Sequence, residues 1–186
     1  MADTSQPTVF DYASGTQWRL AFNRVPKTTW FCTAANLPGI TLGEAMYPTP
    51  MADINLTGDK LTFETLNITF IVDEELQNYR ELWDWIVGIG FPKSHSQWTS
   101  VLAKGAGTTL MSATSEIATA AEAQLYSDAT MIIYNSKNIP KLNVNFKDMF
   151  PTSLSALEYS QESTDVEYFK AAASFRFLYY EFTDTV

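Results

Sequence analysis

The chain has 186 residues, 46% of them hydrophobic and 14% aromatic, which excludes general disorder and allows a substantial buried core. Twelve basic residues face 21 acidic ones, and the formal charge of −9 argues against ordinary nucleic-acid binding, which needs phosphate-neutralising Lys and Arg. Cys32 is the only cysteine, so no internal disulfide can form, and no apolar run approaches membrane-span length.

Residues 1–14 are polar, lack the layout of a secretory signal and read as a flexible N-terminal arm, leaving 15–186 as one domain. WRLAF (18–22) and TTWFCT (28–33) alternate apolar and polar residues and predict two strands joined by a turn containing Asn23 and Pro26. Cys32, flanked by Phe31 and Thr33, reads as a small packing residue rather than a nucleophile. Leu37-Pro38-Gly39-Ile40 is a turn signal with Gly39 placed for positive φ. Residues 44–50 are extended because of Pro48 and Pro50, 51–56 regain strand character, and Thr57-Gly58-Asp59 turns the chain into a strand over 61–72. The result is a projecting hairpin over about 46–67, with Met46, Met51, Asp53, Asp59 and Lys60 available to a neighbour.

Leu66, Ile68, Phe70 and Val72 alternate with Thr65, Asn67, Thr69 and Ile71, the period of a half-buried strand. Asp73 is positioned as an N-cap, and Glu74 and Glu75 fall in the first turn of the helix that should follow. Leu76, Tyr79, Trp83, Ile86 and Val87 then define its core face, with Gly88 and Pro92 as stop signals. Trp85 falls with Gln77, Asn78 and Glu81 on the other face, either beneath a neighbouring loop or as an exposed anchor for another subunit. Arg80 and Asp84 beside it suit a modest surface pair.

Residues 94–124 carry little pattern and read as an insertion or long loop at about 94–125, with helical possibilities at 98–102 and 116–125 and His95 as a solvated loop residue. Strands return at 128–134 and, after the turn 135–138, at 141–147, where Leu142, Val144 and Phe146 oppose Lys141, Asn143, Asn145 and Lys147. Two more strands are predicted, at 153–159 and over a long final 166–182. The fold class expected is mainly β, an antiparallel sandwich or partly open barrel with one flanking helix.

Phosphate-binding loops and nucleophile elbows are missing from the sequence, so no catalytic residue, metal ligand or cofactor is assigned. Glu158, Glu162, Asp165 and Glu167 read as a solvated acidic turn, with a metal-dependent hydrolase using Asp165 as a weaker alternative.

The phrases LPGI, LTFETLNITFIVDEE, NYRELWDW, DATMIIYNS, FKDMFPTSLSALEYS and FRFLYYEF cover most of residues 17–182. In this order the chain resembles the tail-tube superfamily of contractile-tailed bacteriophages, including tube-initiator proteins at the baseplate; the NYR helix phrase looks closer to the initiators. The resemblance implies a structural subunit, not an enzyme, that forms a homo-hexameric ring with a continuous inner β-barrel. Such rings stack on adjacent rings, contact sheath or baseplate proteins, and pass double-stranded DNA and the tape-measure protein without specific binding. The location implied is the virion tail, assembled in the bacterial cytoplasm, with no membrane contact. The polar positions Thr65, Asn67, Thr69, Asn143 and Asn145 then become lumen-lining candidates, and Arg80, Glu81, Asp84 and Trp85 an outer contact surface. The rival from another class is a monomeric β-barrel binding a small apolar ligand.

Overall fold

A computed structural model describes residues 12–90, 93–103, 125–161 and 168–185. Most of the expected N-terminal arm, most of the expected helix at 116–125, and Glu162, Asp165 and Glu167 lie outside these residues. Strand accounts for 49% of the described residues and helix for 20%, so the fold is mainly β, as expected; besides the flanking helix and the helical possibility at 98–102, a third helix, unforeseen, spans Pro26–Phe31.

The strands are β1 (Trp18–Phe22), β2 (Cys32–Ala35), β3 (Ile40–Pro48), β4 (Asp53–Phe63), β5 (Leu66–Ile71), β6 (Ser127–Tyr134), β7 (Pro140–Leu154), β8 (Lys170–Arg176) and β9 (Tyr179–Asp184). The helices are α1 (Pro26–Phe31), α2 (Gln77–Gly90) and α3 (His95–Ala103). Seven strands form one antiparallel sheet in the order β1-β6-β7-β8-β5-β2, with β9 also on β7, while β3 and β4 pair only with each other.

β7 organises the sheet. Residues 142–147 pair with β6 on one edge and β9 on the other, and residues 150–154 pair with β8. Between the two halves Asp148 takes a φ of 52°, outside the extended region. On the facing chain the run from Lys170 to Asp184 breaks at Phe177 and Leu178, where the Leu178 amide donates to the Lys147 carbonyl at 3.0 Å. The sheet thus folds over at this kink, and Phe22 of β1 meets Phe175 of β8 with ring centroids 5.3 Å apart. Leu66, Ile68 and Phe70 from one half join Leu20, Val144 and Phe146 from the other in a shared core. The alternation along β5 is therefore as expected, because burial of Leu66, Ile68 and Phe70 leaves Asn67 exposed between them.

The single strand β7 replaces the two strands expected at 141–147 and 153–159, since Pro151 sits within it and 155–160 carry no strand. The long final strand is divided into β8 and β9 by the same kink. Residues 28–31 belong to α1 rather than to a strand. Pro26 opens that helix with its pre-set φ, and Lys27 ties it to α2 through Gln77 at 2.6 Å and Glu81 at 3.5 Å. Gly39 does not take positive φ, and its carbonyl accepts from the Glu64 amide at 3.0 Å.

α2 begins later than its acidic residues predict. The Leu76 amide closes a turn on the Asp73 carbonyl at 2.9 Å, and Leu76 itself has a φ of 55°. The Asn78 side chain then joins the helix to β5: its Nδ2 donates to Ile71 at 2.8 Å, and its Oδ1 accepts from the Asp73 and Tyr79 amides at 3.2 and 2.8 Å. Gly88 does not stop the helix. It lies inside α2 against α3, where a Cβ would fall 1.7 Å from Val101 Cγ2.

Candidate assembly surfaces

The hairpin is formed by β3 and β4, over 40–63 rather than the expected 46–67, and its root is fixed by aromatic packing. Phe63 lies 5.7 Å from Phe177 and 5.5 Å from Tyr180, measured between ring centroids, and the Tyr180 hydroxyl donates to the Pro38 carbonyl at 3.2 Å. Beyond the root the arm is exposed along both strands. Met46, Asp53, Asp59 and Lys60 all face solvent, and Met51 at the tip is 97% exposed.

Thr57-Gly58-Asp59 is not the arm's turn; the chain reverses at 49–52, and Gly58 lies within β4 at a bulge. Leu42 pairs with Leu61 and Glu44 pairs with Thr57, so three residues of β4 face Gly43 alone. A Cβ on Gly58 would lie 2.6 Å from the Gly43 carbonyl oxygen, a backbone contact that cannot be relieved by a rotamer change.

The five polar sheet positions fall into two groups. Thr65, Asn67 and Thr69 lie beside β8 and β2: the Ser174 hydroxyl donates to Asn67 Oδ1 at 2.7 Å, and the Thr33 hydroxyl donates to the Thr69 carbonyl at 3.1 Å. Asn143 and Asn145 lie on the other half of the folded sheet. Asn145 accepts from the Thr130 hydroxyl at 3.0 Å and donates to Thr183 at 3.1 Å, a cross-strand ladder over β6, β7 and β9. Both halves turn their apolar faces to the common core, so their polar faces point away from it on different sides. Flat periodicity could not separate them, because the separation comes from the kink at Asp148.

On α2 Trp83, expected on the core face, is exposed, and Trp85 meets the first of its two alternatives, lying beneath the chain at Leu125. Trp85 is buried, 2% exposed, and donates its indole N–H to the Leu125 carbonyl at 2.9 Å. The Phe175 ring lies 6.3 Å away and the Arg24 guanidinium 5.0 Å above the indole. It is therefore not an outer contact. Leu82 is buried beside it, whereas Trp83 is 49% exposed and shares the outward side with Arg80 and Asp84. Glu81 is half-buried and held by Lys27. The signal that could have found this arrangement was Leu82, whose 3-residue spacing to Trp85 defines the stripe that packs inward.

Burial perturbs several groups. It pushes the Cys32 thiol up to about 11, which leaves it protonated and poorly nucleophilic at neutral pH. It lowers Arg24 to about 10, still charged at neutral pH, while the guanidinium donates to the Val101 carbonyl at 2.5 Å. At the kink, desolvation and then the neighbouring Asp128 hold the Asp148 carboxyl above its usual range. Asp128 itself accepts from Lys147 at 2.7 Å and from the Asp148 amide at 3.2 Å, clamping the bend. Glu158 is exposed; the other three residues of the expected acidic turn lie outside the described residues.

The space between the sheet halves is filled by Phe70, Phe146, Phe175, Leu20 and Ile68. A cleft of about 500 Å³ lies instead among α1, α2 and α3, beside Arg24, Trp83, Trp85 and Val101. Among the described residues no group of three or more His, Cys, Asp or Glu is placed to hold a metal ion.

Three solved structures share this architecture. The sheath/tube terminator of an extracellular contractile injection system (PVC, extended state) aligns with a TM-score of 0.58 at 13% identity, covering 94% of this chain and 99% of that one. The tube-terminating cap of the anti-feeding prophage gives 0.53 at 14% identity, and the PVC sheath–tube complex in the extended state gives 0.51 at 14%, each covering 100% of both chains. At these identities the likeness establishes the fold. No curated protein matches the chain. The family model described as phage tail tube protein matches residues 7–183, nearly the whole length, and the chain therefore belongs to the phage tail tube protein family.

Proposed function

We propose that this chain is a ring-forming subunit of a contractile-tail tube, either the bulk tube protein or its initiator at the baseplate. Six copies close a ring whose inner sheets join into one barrel, and rings stack along the tail of the virion after assembly in the bacterial cytoplasm. The observation that carries this reading is a sheet with free edges. Among the described residues β1 and β2 end the strand order, each paired on one side only, and ring closure is a direct way to satisfy such edges. A ligand-binding monomer would need an enclosed apolar space, and the sheet halves are instead packed against each other by aromatic rings.

One of the two polar sheet faces lines the lumen, where neutral Asn, Ser and Thr side chains offer DNA or a tape-measure protein no strong hold. The charge of −9 adds repulsion toward phosphate, effective within about 8–10 Å of the wall at physiological salt. Neighbours with this fold come from sheath–tube and tube-terminator assemblies, which supports sheath proteins as partners of the outer surface. On that surface Arg80, Trp83 and Asp84 are the accessible side chains of α2.

Negative-stain electron microscopy of the purified full chain, with mass from light scattering, tests the reading. Six-fold rings or stacked tubes with an open lumen are expected; rings that never stack identify the initiator. A monodisperse monomer that persists at high concentration and after addition of its baseplate or sheath partners refutes it.

A further inference from the structure

The cleft among α1, α2 and α3 holds about 500 Å³, within the roughly 300–1,000 Å³ of small-ligand sites. One of its walls is acidic. Glu81 and Asp84 both line the cleft, and their three-residue spacing puts them on the same side of α2. Trp83 lines it too, with 49% of the residue exposed.

The charge balance of the cleft is incomplete at Glu81. Its Oε1 faces Lys27 Nζ at 3.5 Å, longer than a charge-assisted hydrogen bond, and that ammonium donates to Gln77 at 2.6 Å instead. Glu81 Oε2 is buried and has no hydrogen-bond donor among the described residues. A carboxylate oxygen withdrawn from water without a donor is unfavourable, and a positively charged donor relieves it best. The resident guanidinium does not supply that donor: Arg24 is stacked 5.0 Å above the Trp85 ring and donates to the Val101 carbonyl. It does show that this cleft seats a guanidinium on an indole. An anionic ligand would meet two carboxylates, and a neutral apolar one would leave Glu81 Oε2 unpaired.

We propose that the cleft binds an organic cation, a guanidinium or ammonium group on a short apolar stem, with the charged head at Glu81 and Asp84 and the stem against Trp83 and Val87. This chemistry is shared by a free small amine or guanidine and by an Arg or Lys side chain carried on another protein.

Isothermal titration calorimetry of the full-length chain with butylguanidinium, and with its neutral isostere butylurea, tests the site. Saturable binding of butylguanidinium at millimolar concentration is expected for a ligand this small. Butylurea keeps the shape and loses the charge, so it should bind more weakly by roughly tenfold or more. Glu81→Gln should weaken the cation by a similar factor. Ser100→Trp, a bulky neutral change at an exposed position of the α3 wall, should abolish binding without altering any charge. Thermal melting checks that each variant folds; if Glu81→Gln does not, Ser100→Trp and the butylurea comparison still decide. Heats that never saturate, equal affinity for butylurea, or undiminished binding by Ser100→Trp overturn the site. A capped tripeptide with a central Arg separates the two sources. Tighter binding than butylguanidinium identifies a protein side chain, equal or weaker binding identifies a free small cation, and both uphold the site.

Discussion

Replacing Trp85 and Trp83 in turn separates the two sides of α2. Trp85 is 2% exposed, packs on Phe175 and supplies the donor for the Leu125 carbonyl, whereas Trp83 is 49% exposed. Trp85→Ala removes a full buried indole and should cost roughly 3–5 kcal/mol. Trp85→Phe keeps most of the apolar volume but leaves the Leu125 carbonyl without its donor, for a cost of about 1–3 kcal/mol. Trp83→Ala in the dissociated subunit should stay within about 0.5 kcal/mol of the parent. Urea titration at low protein concentration reads these values directly. In thermal melts a chain of this size should lose roughly 2–4 °C per kcal/mol, so Trp85→Ala should melt at least about 6 °C lower. If Trp83→Ala proves the more damaging variant, the inward stripe through Leu82 and Trp85 is wrong and α2 is rotated by about a quarter turn or more.

Gly88→Ala sets the helix propensity gained, up to about 1 kcal/mol, against a collision with Val101 Cγ2 at 1.7 Å, and overpacking of this kind costs about 1–3 kcal/mol. The variant should be destabilised, and Val101→Ala in the same chain should recover part of the loss in a double-mutant cycle. Gly58→Val places a branched side chain against the Gly43 carbonyl, so it should impair assembly while leaving the melt of the dissociated body nearly unchanged, as measured by light scattering and circular dichroism. Asp148→Asn tests the kink. The folded carboxyl titrates above its ordinary value of 3.8, so its unfavourable contribution is absent below that pH and grows as pH rises through the folded value. Asn tolerates the φ of 52°, and the variant should therefore gain on the parent in urea stability between about pH 4 and neutrality. Curves that coincide at neutral pH would refute an ionisation penalty at this site.

The strands with one buried face were legible in the sequence because each carries its own evidence. The pattern over 66–72 places Leu66, Ile68 and Phe70 inside without reference to any partner, and the strand at 18–22 has the boundaries of β1. Legibility failed where tertiary contacts outrank local preference. Residues 28–31 alternate like a strand, yet Pro26 starts a helix and Lys27 docks it on α2. The helix at 77–90 is apolar around more than half its circumference, so periodicity alone allowed two core faces; burial against Phe175 and the Leu125 carbonyl selects Trp85. The kink at Asp148 has no turn signature of proline or glycine. It is held by the Asp128 carboxylate across the ladder, a contact between residues 20 positions apart.

The arm shows how assembly information is divided between sequence and register. Its exposure was foreseeable from Pro48 and Pro50, which suit an edge strand, and from the net polarity of its flanks. A change of apolar phase is present in the letters of both strands, at 42–45 and at 56–61, yet it has no meaning until the strands are paired. Only the register that places Leu42 on Leu61 and Glu44 on Thr57 brings the two shifts to the same point and makes them one event. A phase change in one strand alone would leave apolar side chains opposite polar ones and weaken the ribbon. Matched changes keep Ala45 opposite Leu56 and Tyr47 opposite Ile54 while turning a second apolar surface outward, which is costly for a solitary subunit.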